Sequence, residues 1–270
     1  MSADPSDNST RLKVPHYTRL DYTRLDYTRL EIPSDLSLDI LYRDEHLVVV
    51  YKPAGLLVHR SEIDRRETVF AVQVLRQQLQ QRVYTVHRLD KPTSGIMVFA
   101  FNTDDAAHLS NQFQQRLVKK HYRALVRGFM PSEGTVDYAY AQRFDKLDPA
   151  THDRERKLSA ITHFECLQQF EIDIPVDRYQ SARFSLLQLM PESGRKHQIR
   201  RHMKHLSHPI AGDTTYGDGK QNKLLRSHFN CQRLMLSASR LQFQHPRSGE
   251  NIDIKAEPDA TFADVISAMN

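Results

Sequence analysis

His87-Arg88-Leu89-Asp90-Lys91-Pro92-Thr93-Ser94-Gly95 sets one carboxylate among Arg, Lys and His, then breaks the chain with Pro and Gly. The apolar run 96–101 that follows reads as a buried strand, so Asp90 lies in a loop just before it. Neighbouring cations favour the ionised carboxylate, which suits Asp90 to act as a nucleophile or base. The same residues also fit a turn aspartate paired with a nearby Arg.

Working outward, residues 83–86 and 96–101 read as strands on either side of this loop. Upstream, 47–50 reads as a buried strand that enters the turn Lys52-Pro53-Ala54-Gly55, and 68–80 as a helix. Downstream, the spacing predicts a helix over 104–116 capped by Thr103 or Asp104, then a strand over 121–126 ended by Gly128. Further strands are expected at 160–167, 183–189, 234–243 and 252–255, with helices at 196–205 and 259–269. Residues 149–157 and 212–226 read as polar loops or insertions. Strands outnumber helices without regular alternation, which argues an α+β fold around a mixed, largely antiparallel sheet with flanking helices and loops.

The chain has 270 residues, enough for one sizeable core. Residues 1–36 read as a flexible tail carrying Tyr-Thr-Arg-Leu-Asp twice and Tyr-Thr-Arg-Leu-Glu once; a five-residue period builds neither a helical nor a strand face. A single domain over 37–270 is expected. Lys and Arg total 38 against 33 Asp and Glu, for a net charge of +5. The segment 191–233 alone holds nine Lys/Arg, three Asp/Glu and five His. Clustered positive charge of this kind is the footprint of phosphate binding, and equally of a solvated basic face.

Cys166 and Cys231 imply no disulfide framework, no apolar run reaches membrane-spanning length, and the polar start is not a signal peptide. A cytoplasmic, monomeric protein is the expectation. His202, His205 and His208 are spaced by three, but Pro209 follows and no HExxH pattern is present, so no metal is expected.

Four blocks carry the chemistry: the Lys52 turn with Val58-His59, the Asp90 loop, Lys119-Lys120-His121-Tyr122-Arg123 on a strand, and Gly194-Arg195-Lys196-His197-Gln198-Ile199-Arg200 opening a basic helix. An Arg195–Asp90 contact would orient the carboxylate and lower its pKa. A helix N-terminus beside Gly194 would suit phosphate. Tyr122 offers a stacking face and a hydroxyl able to move a proton.

In this order the blocks resemble the RluA branch of the pseudouridine synthases. Leu234-Met235-Leu236-Ser237-Ala238 resembles the strand that walls that family's uracil pocket, with Ser237 where the family usually has His or another polar residue. The resemblance covers about 38–255. It implies that fold, isomerisation of a uridine in RNA to pseudouridine, and no cofactor or metal. Asp90 would be the essential aspartate, attacking sugar or base or abstracting a proton. Tyr122 would stack on the uracil and serve the late proton transfer, Arg195 would pair with Asp90, and Arg88 would help displace the target nucleotide. His87, Lys52, Lys196, His197, Gln198, Arg200 and Leu236 would contact the substrate. The implied partner is RNA, tRNA first and rRNA second, with no extra RNA-binding module ahead of the catalytic body. A non-catalytic RNA-binding protein would share the basic patch but have no use for Asp90, Tyr122 and Arg195 together.

Overall fold

The computed structural model describes residues 36–59, 68–141 and 157–270. The expected tail, 1–36, lies outside the described residues except for Leu36, as does most of the expected loop at 149–157.

The elements run β1 (Asp39–Arg43), β2 (Leu47–Lys52), α1 (Ala71–Leu79), β3 (Tyr84–Thr85), β4 (Ser94–Ala100), α2 (Thr103–Gln114), β5 (Lys119–Arg127) and β6 (Glu133–Asp137). They continue with β7 (Tyr140–Ala141), β8 (Lys157–Leu158), β9 (Ile161–Ile172), β10 (Ala182–Pro191), α3 (Gln198–His205), α4 (Gly219–Phe229), β11 (Leu236–Gln244), β12 (Asn251–Lys255) and α5 (Ala260–Ala268). One ten-stranded sheet runs β1-β2-β4-β11-β5-β10-β9-β6, with β3 on β4 and β12 on β11. Its pairings are antiparallel except β4 against β11, where Ser94 and Gly95 lie beside Ser237 and Ala238. The α+β expectation, with a mixed and largely antiparallel sheet, is therefore met.

Every residue of β4 is buried, as its unbroken apolar run required, because the sheet is covered on both faces there. One face packs Met97 and Phe99 with Val74 and Leu75 of α1; the other packs Ile96 and Val98 with Leu109 of α2. A larger third cluster joins β5 and β10 to α3, α4 and α5 through Leu125, Leu187, Met203, Leu225 and Phe262. The parallel β4–β11 contact depends on Gly95. Its φ is +113°, and a Cβ there would stand 2.2 Å from the Ala238 carbonyl oxygen.

Several boundaries differ from expectation for identifiable reasons. Helix α2 is capped by Asn102, whose side chain accepts from the Asp105 amide at 2.9 Å, rather than by Thr103 or Asp104. Residues 212–226 are not all loop: Asp218 caps α4 by accepting from the amides of Lys220 and Gln221, and Leu224 and Leu225 bury its inner face. Helix α3 starts two residues later than expected, because His197 stands at φ +57° and turns the chain before the helix begins. The strand expected at 160–167 extends to Ile172.

Candidate active site

The loop carrying Asp90 is tied at successive points. The Thr93 amide donates to the Asp90 carbonyl at 3.0 Å, and the Gly55 amide to the Lys91 carbonyl at 2.8 Å. Lys52, at the end of β2, is fully buried; its ammonium donates to the carbonyls of Pro53 at 2.9 Å, Leu56 at 2.8 Å and Lys91 at 3.3 Å. Burial, and after it the charge of Arg233, lowers the Lys52 pKa to about 7, against the opposing pull of Asp90. Lys52 thus clamps the Pro53–Leu56 turn to the Asp90 loop from beneath.

The Asp90 side chain is 21 % exposed. Its Oδ2 faces Arg200 Nη1 at 3.5 Å and His197 Nε2 at 3.8 Å. Arg200 is anchored behind by a fork onto Asp213, Nε to Oδ2 at 2.7 Å and Nη2 to Oδ1 at 2.8 Å, leaving Nη1 for Asp90. Burial would raise the Asp213 pKa, but the Arg200 hydrogen bonds, the amides of Tyr216 and Thr215 and the Arg200 charge together hold it below the usual carboxylate range. The Tyr216 ring lies under Arg200 at 5.2 Å, and its hydroxyl contacts Arg201 Nε at 3.1 Å and His197 Nδ1 at 3.0 Å.

The expected Arg195–Asp90 pair is replaced by Arg200–Asp90. Arg195 precedes α3, is exposed, and donates its backbone amide to Gln198 Oε1 at 3.1 Å. Arg200 and His197, three apart around the first turn of α3, share the face toward the Asp90 loop. Tyr122, half-buried on β5, stands near enough that burial first and the Asp90 charge second raise its pKa. Arg88 is exposed, and its charge joins burial in lowering the pKa of His59. Lys196 is exposed on the same rim as Arg195.

Other expected contact residues are engaged within the protein. His87 accepts from the Val98 amide at 3.1 Å and stacks on Phe113 at 4.3 Å; burial lowers its pKa to about 3. Gln198 is buried, its Oε1 accepting from Ser193 and its Nε2 donating to Ile161 and Thr162. Leu236 lies in the core beside Ala124, and Ser237 is buried with its hydroxyl 3.2 Å from that of Tyr51. His202 and His208 contact Thr162 and the Arg127 carbonyl respectively, while His205 stacks on Tyr138 at 3.7 Å.

Sequence reasoning missed Asp213 and Tyr216. Their signal was Gly212-Asp213-Thr214-Thr215-Tyr216-Gly217, a turn between two glycines. A Cβ on Gly212 would come 1.9 Å from the Arg233 carbonyl, and one on Gly217 2.0 Å from the Asp213 carbonyl. No described helix is long and apolar enough to cross a membrane.

Comparisons with known proteins bear on the family and the fold. The chain is 49% identical over 231 residues to tRNA pseudouridine synthase C of Yersinia pestis, covering 85% of this chain and 90% of that one. It is 47% identical over 236 residues to the protein of the same name from Pasteurella multocida (strain Pm70), covering 87% and 97%. The solved structure of Human RNA Pseudouridylate Synthase Domain Containing 4 superposes with a TM-score of 0.64 at 27% identity, covering 86% of this chain and 92% of that one. The family model described as RNA pseudouridylate synthase matches residues 46–205, which span the Lys52 turn, the Asp90 loop, Tyr122 and all of α3. With Asp90, Tyr122 and Arg200 converging inside that match, the chain belongs to the RNA pseudouridylate synthase family.

Proposed function

We propose that this protein isomerises a specific uridine of tRNA to pseudouridine, using Asp90 as its reacting carboxylate. The observation that carries the reading is Asp90, in the loop that enters β4, ion-paired to the buried Arg200 and near Tyr122, in a chain nearly half identical to proteins named for tRNA. The target base leaves its stack to reach Asp90, at a cost of a few kcal/mol. Arg88, exposed at the mouth of the loop, takes part in displacing it, and the basic rim with Arg195 and Lys196 offsets the cost through phosphate contacts. The C1′–N1 bond then breaks, the uracil turns against the Tyr122 ring, and a C1′–C5 bond forms. C5 loses its proton and N1 gains one, so the product is an isomer of the substrate. Tyr122 offers its ring to the turning uracil and its hydroxyl to that late transfer, in surroundings where burial first and the Asp90 charge second raise its pKa. We take residues 37–270 as the catalytic unit, with 1–36 a tail outside it, working as a monomer in the cytoplasm.

The test is incubation of purified protein with unmodified tRNA and rRNA transcripts, with pseudouridine mapped by mass spectrometry. Modification of one uridine in tRNA is expected. Turnover on rRNA alone would move the substrate, and no turnover on either would overturn the reading. Asp90→Asn is expected to bind tRNA as tightly as the parent while forming no pseudouridine.

A further inference from the structure

His197 adopts a left-handed backbone, φ +57° and ψ +25°, at the residue before α3. Few side chains with a Cβ stand there, though His is among those enriched in this region. Here the His197 carbonyl accepts from the Arg201 amide at 3.0 Å, and the imidazole Nδ1 lies 3.0 Å from the Tyr216 hydroxyl. That turn aims Nε2 at Asp90 Oδ2, 3.8 Å away.

The proton positions follow from donor chemistry. Arg201 Nε has only a hydrogen to offer, so the Tyr216 oxygen accepts from it at 3.1 Å. The Tyr216 hydrogen is then available to His197 Nδ1, which leaves the ring proton on Nε2, facing the carboxylate. Arg200 reaches the same oxygen, Oδ2, and cannot swing away because its other two nitrogens are held by Asp213.

We propose that His197, oriented by Tyr216, is a positioning residue: with Arg200 it holds Oδ2 of Asp90 and so reserves Oδ1 for the reacting uridine. This rests on the reading of Asp90 as the reacting carboxylate. Both groups stand at ion-pair distance from one oxygen, 3.5 Å and 3.8 Å, which biases the carboxylate's rotation, and both contacts tighten into hydrogen bonds when bound RNA excludes water from the site.

The experiment compares kcat and KM on a tRNA transcript for the parent, Asp90→Asn, His197→Asn, His197→Gln and Tyr216→Phe. Asn tolerates the left-handed backbone but is too short to reach Asp90, whereas the Gln amide nitrogen extends to where Nε2 stood. His197→Asn is expected to lower kcat by about tenfold to a hundredfold with KM within about twofold. His197→Gln is expected to recover much of that loss. Tyr216→Phe keeps the ring beneath Arg200 and loses only a hydroxyl, for a kcat drop of about threefold to tenfold. Unchanged kcat in His197→Asn, a loss confined to KM, or Gln no better than Asn overturns the proposal. If His197→Asn does not fold, unchanged kcat in Tyr216→Phe overturns it instead. Residual turnover in Asp90→Asn would sink the reading of Asp90 itself, a separate outcome.

Discussion

Replacing Asp213 by Asn isolates the ion pair on which the Asp90 contact stands. Arg200 is 4 % exposed and Asp213 0 %, so water compensates neither charge. At the ~4 Å between charge centres in a forked contact, and an effective dielectric of about 20, their attraction is roughly 4 kcal/mol. Asn keeps an oxygen for the amides of Thr215 and Tyr216, but its NH2 group meets Arg200 Nε, donor against donor. Breaking a buried pair by removing one charge costs about 3–5 kcal/mol. For a chain of this size that lowers the melting temperature by roughly 6–20 °C. Urea denaturation followed by circular dichroism reads the loss, and turnover on tRNA falls with it because Arg200 no longer has a fixed place. The pH dependence has a definite sign. Asp213 ionises more readily folded than unfolded, so its contribution is complete above the ordinary carboxylate pKa of about 3.9 and disappears as pH falls through the depressed folded value. The Asn variant therefore loses stability at neutral pH and has a shallower acid limb. A loss under about 1 kcal/mol, the range of an exposed pair, would refute the claim that this pair is the site's foundation.

His87→Gln tests the neutral imidazole that accepts from Val98. With a folded pKa of about 3 against 6.5 unfolded, the parent loses stability as pH falls below 6.5, on the order of 2 kcal/mol between pH 7 and pH 5; the Gln variant should lack that slope in urea titrations at the two pH values. Gly95→Ala combines a positive φ with a Cβ 2.2 Å from the Ala238 carbonyl oxygen, and is expected to cost about 2–5 kcal/mol; a cost below about 1 would mean the β4–β11 contact yields easily. Lys52→Met removes the donor shared by three carbonyls and should destabilise by at least about 2 kcal/mol; a melting curve unchanged from the parent would show that the Asp90 loop is pinned elsewhere.

The central strand and its loop were legible because their signals are local. An unbroken apolar run after Pro92 and Gly95 has few readings other than a buried strand, and β4 is buried throughout. Tyr122 was legible for the same reason, as part of an evident strand. The partner of Asp90 was not, because choosing between Arg195 and Arg200 depends on where α3 begins. That is decided by the left-handed turn at His197, where neither Gly nor Asn stands to announce it. Helix α4 was hidden by Lys220, Gln221, Asn222 and Lys223, which leave Leu224 and Leu225 as a short apolar signal. Asp213 and Tyr216 were hidden by distance: their roles exist only once a turn beyond α3 folds back beneath it.

The Asp90 loop is also fixed where it enters β4. Arg233 Nη2 donates to Ser94 Oγ at 2.7 Å, while Nη1 is paired with Asp259, the residue that caps α5. Tyr51 bridges the same group, accepting from the Asp259 amide at 2.9 Å with its hydroxyl 3.2 Å from both Ser94 and Ser237. The loop is therefore held by Lys52 beneath Lys91, by Arg233 at Ser94, and by Arg200 and His197 at the carboxylate itself. Buried ions are a poor means of stabilising a fold, since apolar groups of similar volume often do as well. Their concentration around one short loop is better understood as setting position. On the proposed role of Asp90, a carboxylate that meets one atom of an extruded nucleotide gains more from fixed surroundings than from added stability, because dipoles and charges already in place need no rearrangement as the reaction proceeds.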